Sequence, residues 1–131
     1  MAYDFEVVGQ IPATPQEIYE AWLSSEGHSA MTGGVAHIDP ALGGEFDAWD
    51  GYIHGKNLVL EPFTRIVQTW RTSQFTDEHE DSKIEVLLEA NGDGTLMTVR
   101  HSNVPDDQLG YENGGWEKSY VTPMQQHFAT K

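Results

Sequence analysis

The chain contains no cysteine, which excludes disulfide staples and thiolate metal sites. Basic residues are scarce: seven Lys and Arg stand against 21 Asp and Glu, a formal net charge of -14. A surface this negative repels phosphate backbones and anionic headgroups, so neither nucleic acid nor a membrane is expected as a partner. The acidity reads as a solvated surface, suited to a salty cytoplasm, or as a docking face for a basic partner. No run approaches the roughly 20 apolar residues that a membrane-spanning helix needs. The opening MAYDFEVVGQ lacks a basic stretch followed by an apolar one, so no secretory leader is expected and the cytoplasm is the expected location. Internal repeats, linkers and low-complexity segments are also missing.

What is there suits a folded domain. Hydrophobic residues make up 38% of the 131, with four Trp, five Tyr and five Phe. That length fits one domain, residues 1–131, able to bury roughly two thirds of its unfolded surface. Tyr3 to Val8 alternates as a strand does, and Pro12 and Pro15 end it. Thr14-Pro15-Gln16-Glu17 is a helix start, with a capping side chain, proline in the first turn and an acid behind it. Ile18, Tyr19, Trp22 and Leu23 follow at helical spacing. Gly27 reads as an interruption, and Ser29 to Thr32 as a further short turn before Gly33-Gly34.

Six strands are then expected: Val35–Asp39, Gly44–Trp49, Tyr52–Glu61, Thr64–Ser73, Ser82–Ala90 and Thr95–Ser102. Asp50-Gly51 and Asn91-Gly92-Asp93-Gly94 mark tight turns between them. Ile66 and Trp70 share one face of their strand; Ile84, Val86, Leu88 and Ala90 share another, as do Met97, Val99 and His101. Near the end, Trp116, Tyr120, Met124 and Phe128 recur every four residues and predict an apolar helical stripe, capped by Asn113. Pro123 lies inside it, so the helix should bend or lose a hydrogen bond there. A meander with one wet face must cover the other, and this final helix is the element long enough to do so. The class expected is α+β, a curved antiparallel sheet of about seven strands around a long C-terminal helix.

That order, and the residues that punctuate it, resembles the START and Bet v allergen-like (SRPBCC) superfamily. Within it the chain is most similar to the domain shared with the activator of the heat-shock-protein-90 ATPase. The matching pieces are Ile18-Tyr19-Glu20-Ala21-Trp22, Gly43-Gly44-Glu45-Phe46, Gly51 and Gly55. They continue with Glu61-Pro62-Phe63-Thr64-Arg65-Ile66-Val67-Gln68-Thr69-Trp70, Gly94-Thr95, His101-Ser102 and Tyr111-Glu112-Asn113-Gly114-Gly115-Trp116. The resemblance implies a helix-grip fold with a cavity between sheet and helix. It does not select one function, because members include carriers, receptors, cyclases and chaperone activators. A chaperone partner is disfavoured by the lack of basic patches and of room for the activator's separate N-terminal domain.

The cavity so implied would be lined by Trp22, Met31, Trp49, Tyr52, Trp70, Met97, Val99, His101, Trp116, Tyr120 and Met124. Apolar walls with a few placed polar groups are the usual make-up of a small-molecule pocket. His101, if it lines the cavity, would titrate near neutrality and act as a base or orient a ligand. Arg71 or Arg100 beneath the helix would need an anionic partner; on the wet face they would be ordinary surface charges. Of the six histidines, His28, His37, His54, His79, His101 and His127, none pair at i, i+4 on a helix. There is no HExxH, so no metal and no cofactor is expected. The segment His28–Gly34 reads as a pocket rim or as a plain helix end with a left-handed glycine. Gly114-Gly115 lacks the remaining elements of a phosphate loop. Ser24, Ser25 and Ser29 form no triad with His28, and Asp77, Glu78, Glu80 and Asp81 read as solvated acids.

The function expected is therefore the binding of a small apolar or aromatic ligand, without an assembled catalytic motif. A cyclase- or hydrolase-like enzyme using His101 or His54, and a chaperone-associated interaction module, are the alternatives. Homodimerisation through an edge strand is left open.

Overall fold

A computed structural model describes residues 2–73, 75, 80–105 and 116–129. Strand β1 (Ala2–Ile11) is followed by helices α1 (Pro15–Trp22) and α2 (Ser25–Thr32). Strands β2 (His37–Ile38), β3 (Glu45–Ala48), β4 (Ile53–Glu61), β5 (Arg65–Thr72), β6 (Ser82–Asn91) and β7 (Gly94–Pro105) come next. Helix α3 (Thr122–Ala129) ends the described chain, preceded by a π-helical turn over Glu117–Val121. The strands form one antiparallel sheet in the order β1-β7-β6-β5-β4-β3-β2. The first strand thus pairs with the last, and the two helices between β1 and β2 carry the chain from one sheet edge to the other.

Local chemistry sets the element ends. Thr14 caps α1 with a reciprocal pair: its Oγ1 accepts from the Glu17 N–H at 3.1 Å, and Glu17 Oε1 accepts from the Thr14 N–H at 2.9 Å. Ser24 caps α2 without a reciprocal partner, its Oγ accepting from the Gly27 N–H at 3.0 Å. Gly27 is therefore no interruption, and α2 begins four residues earlier than the sequence pattern indicates. The glycine is required for a different reason: a Cβ there would come within 2.8 Å of Ala21 Cα, so its absence lets α1 and α2 approach closely. Gly33 ends α2 in the left-handed region, φ 86°. Segment His28–Gly34 is thus a helix end, not a free rim. The expected strand Val35–Asp39 shortens to the two residues of β2, because Ser25 and Ser29 accept from the Ile38 and Ala36 N–H groups at 2.7 and 2.8 Å and tie that backbone to α2.

Pro123 acts as expected, by an identifiable route. Proline has no N–H and its ring collides with the carbonyl four residues back, here that of Ser119. The preceding turn widens: the Thr122 N–H bonds to Glu117 O, five residues back. The core lies between the sheet's inner face and the helices. Ile66, Ile84, Val86, Met97, Val99, Ile11, Ile18, Trp22, Met31 and Met124 are all essentially without exposure. Asn113, Gly114 and Gly115, and Asp77, Glu78 and His79, lie outside the described residues. Among the described residues no helix is long and apolar enough to cross a membrane.

Candidate functional site: an aromatic recess under the C-terminal helix

Between the β3–β4 hairpin, β5 and the π-helical turn lies a partly open recess of about 370 Å³. Its lining is Trp49, Tyr52, Ile53, Trp70, Trp116, Ser119 and Tyr120. Three consecutive left-handed residues, Trp49 (φ 54°), Asp50 (φ 61°) and Gly51 (φ 87°), turn the hairpin. For a Trp this backbone is strained. Gly34 holds the ring in place: a side chain on it would collide with the Trp49 indole. Trp70 arrives from the inner face of β5. Trp116 and Tyr120 arrive from successive turns of the terminal helix, with ring centroids 4.9 Å apart and planes tilted 39°. Trp70 lies 4.8 Å from Trp116 on the same measure.

Two buried histidines hold these rings from behind. His28 Nδ1 lies 2.9 Å from the Trp22 carbonyl and Nε2 lies 3.0 Å from the Tyr120 hydroxyl. A carbonyl only accepts, so the neutral imidazole carries its proton on Nδ1 and the Tyr120 O–H donates to Nε2. On the other flank the Trp116 indole N–H donates to His101 Nδ1 at 3.1 Å. His101 must then be protonated on Nε2, which donates to Ser82 Oγ at 2.8 Å; Ser82 passes its own proton to the Trp70 carbonyl at 2.6 Å. Burial keeps both histidines neutral. It lowers the His28 pKa, against a smaller opposing effect of the Trp22 carbonyl, and lowers that of His101 to about 3. The expectation that His101 titrates near neutrality is corrected by this. Burial also raises the Tyr120 pKa. A further relay fixes Trp22: its N–H donates to Gln68 Oε1 at 3.0 Å, and Gln68 Nε2 donates to Asn57 Oδ1 at 2.9 Å.

Two indoles in the recess wall are left out of these networks. Among the described residues neither Trp49 Nε1 nor Trp70 Nε1 has a hydrogen-bond partner, although both atoms are closed to water. The Trp49 N–H lies near enough to the Tyr120 oxygen to ease its ionisation slightly, but the approach falls short of hydrogen-bond geometry.

Of the residues the sequence proposes for a cavity, Trp49, Tyr52, Trp70, Trp116 and Tyr120 come together at the recess. Trp22, Met31, Met97, Val99 and Met124 belong to the packed core, and His101 stands behind Trp70 and Trp116 rather than at the surface of the recess. Ile53 follows Tyr52 directly and shares its signal. Ser119 has none except Pro123, whose widened turn contains it. His28 is read from sequence as part of a loop, and its pairing with Tyr120 spans 92 residues. His54 is exposed and shares the sheet's outer face with Asp47 and Arg71, its register partners. Arg71 and Arg100 also lie on the outer face, bonded to Asp81 and Glu6 at 2.9 Å each. A larger, shallow depression of about 570 Å³ crosses that face, and within it Glu85 takes Arg65 at 2.6 Å and Arg100 at 3.5 Å, while Arg100 takes Glu6 at 2.9 Å. No group of three metal-ligating side chains occurs among the described residues.

A seven-stranded antiparallel sheet curved over a C-terminal helix defines the START and Bet v-like class of the SRPBCC superfamily. The family model described as "Activator of Hsp90 ATPase homolog 1-like protein" matches residues 12–129, and the chain belongs to that family. The Homo sapiens activator of 90 kDa heat shock protein ATPase homolog 1 is 25% identical over 115 residues, 88% of this chain and 34% of that protein. The corresponding homolog of Dictyostelium discoideum is 23% identical over 92% of this chain and 31% of its own length. The chain therefore spans about a third of the curated relatives it matches. Among solved structures, an HSP90 activator from Plasmodium falciparum superposes with a TM-score of 0.84 at 18% identity, over 97% of this chain and 96% of that one. The allergen Ara h 8.0201 superposes with a TM-score of 0.75 at 13% identity over the whole of both chains.

Proposed function

We propose that this chain binds a small apolar ligand in the recess between the β3–β4 hairpin, Trp70 and the terminal helix, and carries or presents it without chemical change. The observation that supports this reading is the contrast within one face. Aliphatic side chains fill the sheet under β6 and β7, whereas five aromatic rings stand around unfilled space. Catalysis lacks support: the two histidines nearest the recess are neutral, occupied by fixed partners and set behind the rings. The reading carries a cytoplasmic location with it. The test is thermal melting with a panel of neutral arenes, flavonoids and fatty alcohols, on the chain and on Ser119→Trp, whose indole would plug the recess. A ligand at about 100 times its Kd stabilises by about 2.7 kcal/mol, so the unsubstituted chain should melt several degrees higher and Ser119→Trp should not respond. A panel without a single shift would sink the reading.

Family membership favours a second reading, a role alongside the HSP90 chaperone, since the curated relatives are named as activators of its ATPase. Five of the seven Lys and Arg of the chain lie on β4–β7: Lys56, Arg65, Arg71, Lys83 and Arg100. This clustering of the scarce basic residues makes the outer face of those strands the surface on which to look for a contact. Adding the purified chain to HSP90 and measuring ATP turnover decides it: unchanged turnover at saturating chain removes this reading.

A further inference from the structure

We propose that His37, Asp47 and His54 form a surface site for a divalent cation of the zinc type, on the outer face of the sheet and away from the recess. The three residues come from three strands, and the register puts them in one line. His37 of β2 stands opposite Asp47 of β3, and Asp47 stands opposite His54 of β4. Residues directly opposite one another in an antiparallel sheet project to the same face, so a carboxylate sits between two imidazoles. All three, together with Asp39 and Glu45, border a shallow depression of about 530 Å³.

Two of the three ligands are already spaced for an ion. His37 Nδ1 lies 3.0 Å from Asp47 Oδ1. Nitrogen and oxygen ligands stand about 2.0–2.2 Å from a tetrahedral zinc, which sets two such atoms roughly 3.3 Å apart. A small outward adjustment of an exposed pair meets that spacing. The cation then takes the place of the hydrogen between the two atoms, and the ring's proton moves to Nε2 through solvent, the His37 side chain being 72% exposed. His54 supplies the third ligand. Its Cα stands two strand spacings from that of His37, about 9.4–9.8 Å, and an ion above Asp47 lies midway between the two. Among the described residues no three ligand groups converge on one point as the structure stands; the exposed His54 ring turns toward Asp47 when the ion binds.

The chemistry of the row selects the ion. Two imidazoles and one carboxylate suit zinc, nickel or copper, whereas magnesium and calcium take oxygen ligands. Three protein ligands leave the fourth position to water. The surroundings favour a cation: Asp39 and Glu45 border the site, and the next residue of the row, Arg71, is held by Asp81 at 2.9 Å. The chain's net charge of -14 raises the local concentration of cations further. A bound ion would stitch the two shortest strands, β2 and β3, to β4. Residues 37, 47 and 54 carry no ligand motif, because only strand register aligns them.

The experiment titrates zinc chloride into the full chain, first freed of metal with EDTA, by calorimetry. The same titration is made on His37→Ala, His54→Ala and His79→Ala; His79 lies outside the described residues, beside Glu78 and Glu80, and is the competing donor. One ion per chain should bind, and excess magnesium should leave the affinity unchanged. His37→Ala and His54→Ala should each weaken binding at least tenfold, since losing even the outer-shell support of a ligand costs about 10–100-fold. His79→Ala should bind as the parent does. Imidazole resonances of His37 and His54 should shift on zinc addition while those of buried His28 and His101 stay in place, a readout that needs no variant. Absence of zinc binding overturns the proposal, as does a loss confined to His79→Ala. A loss in only one of His37→Ala and His54→Ala overturns the three-strand site. Binding with unmoved His37 and His54 resonances, or equal binding of magnesium, overturns it as well.

Discussion

The inner face of the sheet has two halves built from different side chains. Under β6 and β7, Ile84, Val86, Leu88, Met97 and Val99 are branched or flexible and close on Ile11, Ile18 and Met124 with no described recess among them. Under the β3–β4 hairpin and β5, the wall is Trp49, Tyr52, Trp70, Trp116 and Tyr120, and about 370 Å³ stays open. Aliphatic groups interdigitate from both sides; large rings with two rotatable bonds meet here at interplanar angles of 39° to 60° and leave wedges between them. The lesson is that hydrophobic burial alone does not predict where a fold of this kind is solid. The shape of the side chains does.

Substitutions should separate the two halves. The largest effect is expected in the packed one: Met97→Ala should lose about 2–5 kcal/mol by urea titration, through transfer and cavity costs together. A loss below about 1 kcal/mol would mean that half is not tightly packed. Next comes acid. Both buried histidines have pKa values below their ordinary value of 6.5, His101 at about 3. The unfolded chain therefore takes up protons that the folded one refuses. The stability that His101 contributes is complete above pH 6.5 and falls as the pH drops toward 3, by roughly 1 kcal/mol per pH unit, and His28 acts in the same direction. Protonated His101 also turns a second N–H toward the Trp116 indole. His101→Gln should flatten that slope in melting curves taken from pH 7 to 4, and an unchanged slope would assign the acid sensitivity elsewhere.

Tyr120→Phe should cost about 1–3 kcal/mol, because it strands His28 Nε2 in the core. Its ring contacts with Trp22 and Trp116 survive, so ligand affinity should change less than stability. The smallest effect belongs to the open half. Tyr52 is 39% exposed, and Tyr52→Ala should stay within about 0.5 kcal/mol of the parent in stability while weakening any ligand that stacks on it. A large drop in stability there would show the rim to be structural, and the comparison between the halves would collapse.

Most of the chain's course is legible from residue order. Thr14-Pro15-Gln16-Glu17 announces a capped helix, Asn91-Gly92 and Asp50-Gly51 announce hairpins, and the alternation in 82–90 announces which face is buried. These signals are local, acting within four or five residues, so they survive without tertiary context. Gly27 misleads for an instructive reason: glycine usually breaks a helix, but here its missing Cβ lets α1 and α2 touch, a requirement set by a neighbour rather than by its own backbone. Five of eleven proposed cavity residues meet at one recess, and five go to the core. Sequence spacing identifies an inward face but not whether the opposite element reaches far enough to cover it.

By itself, then, the sequence determined the class of fold, the family and the supply of aromatic side chains, because periodicity, caps and turn residues act locally and element order restricts the pairing. Only the tertiary structure decided which rings border open space, which histidines are silenced by burial, and which indole N–H groups are left without an acceptor. Those properties depend on contacts between residues as far apart as His28 and Tyr120, and on a π-helical turn that one proline imposes on the helix above them.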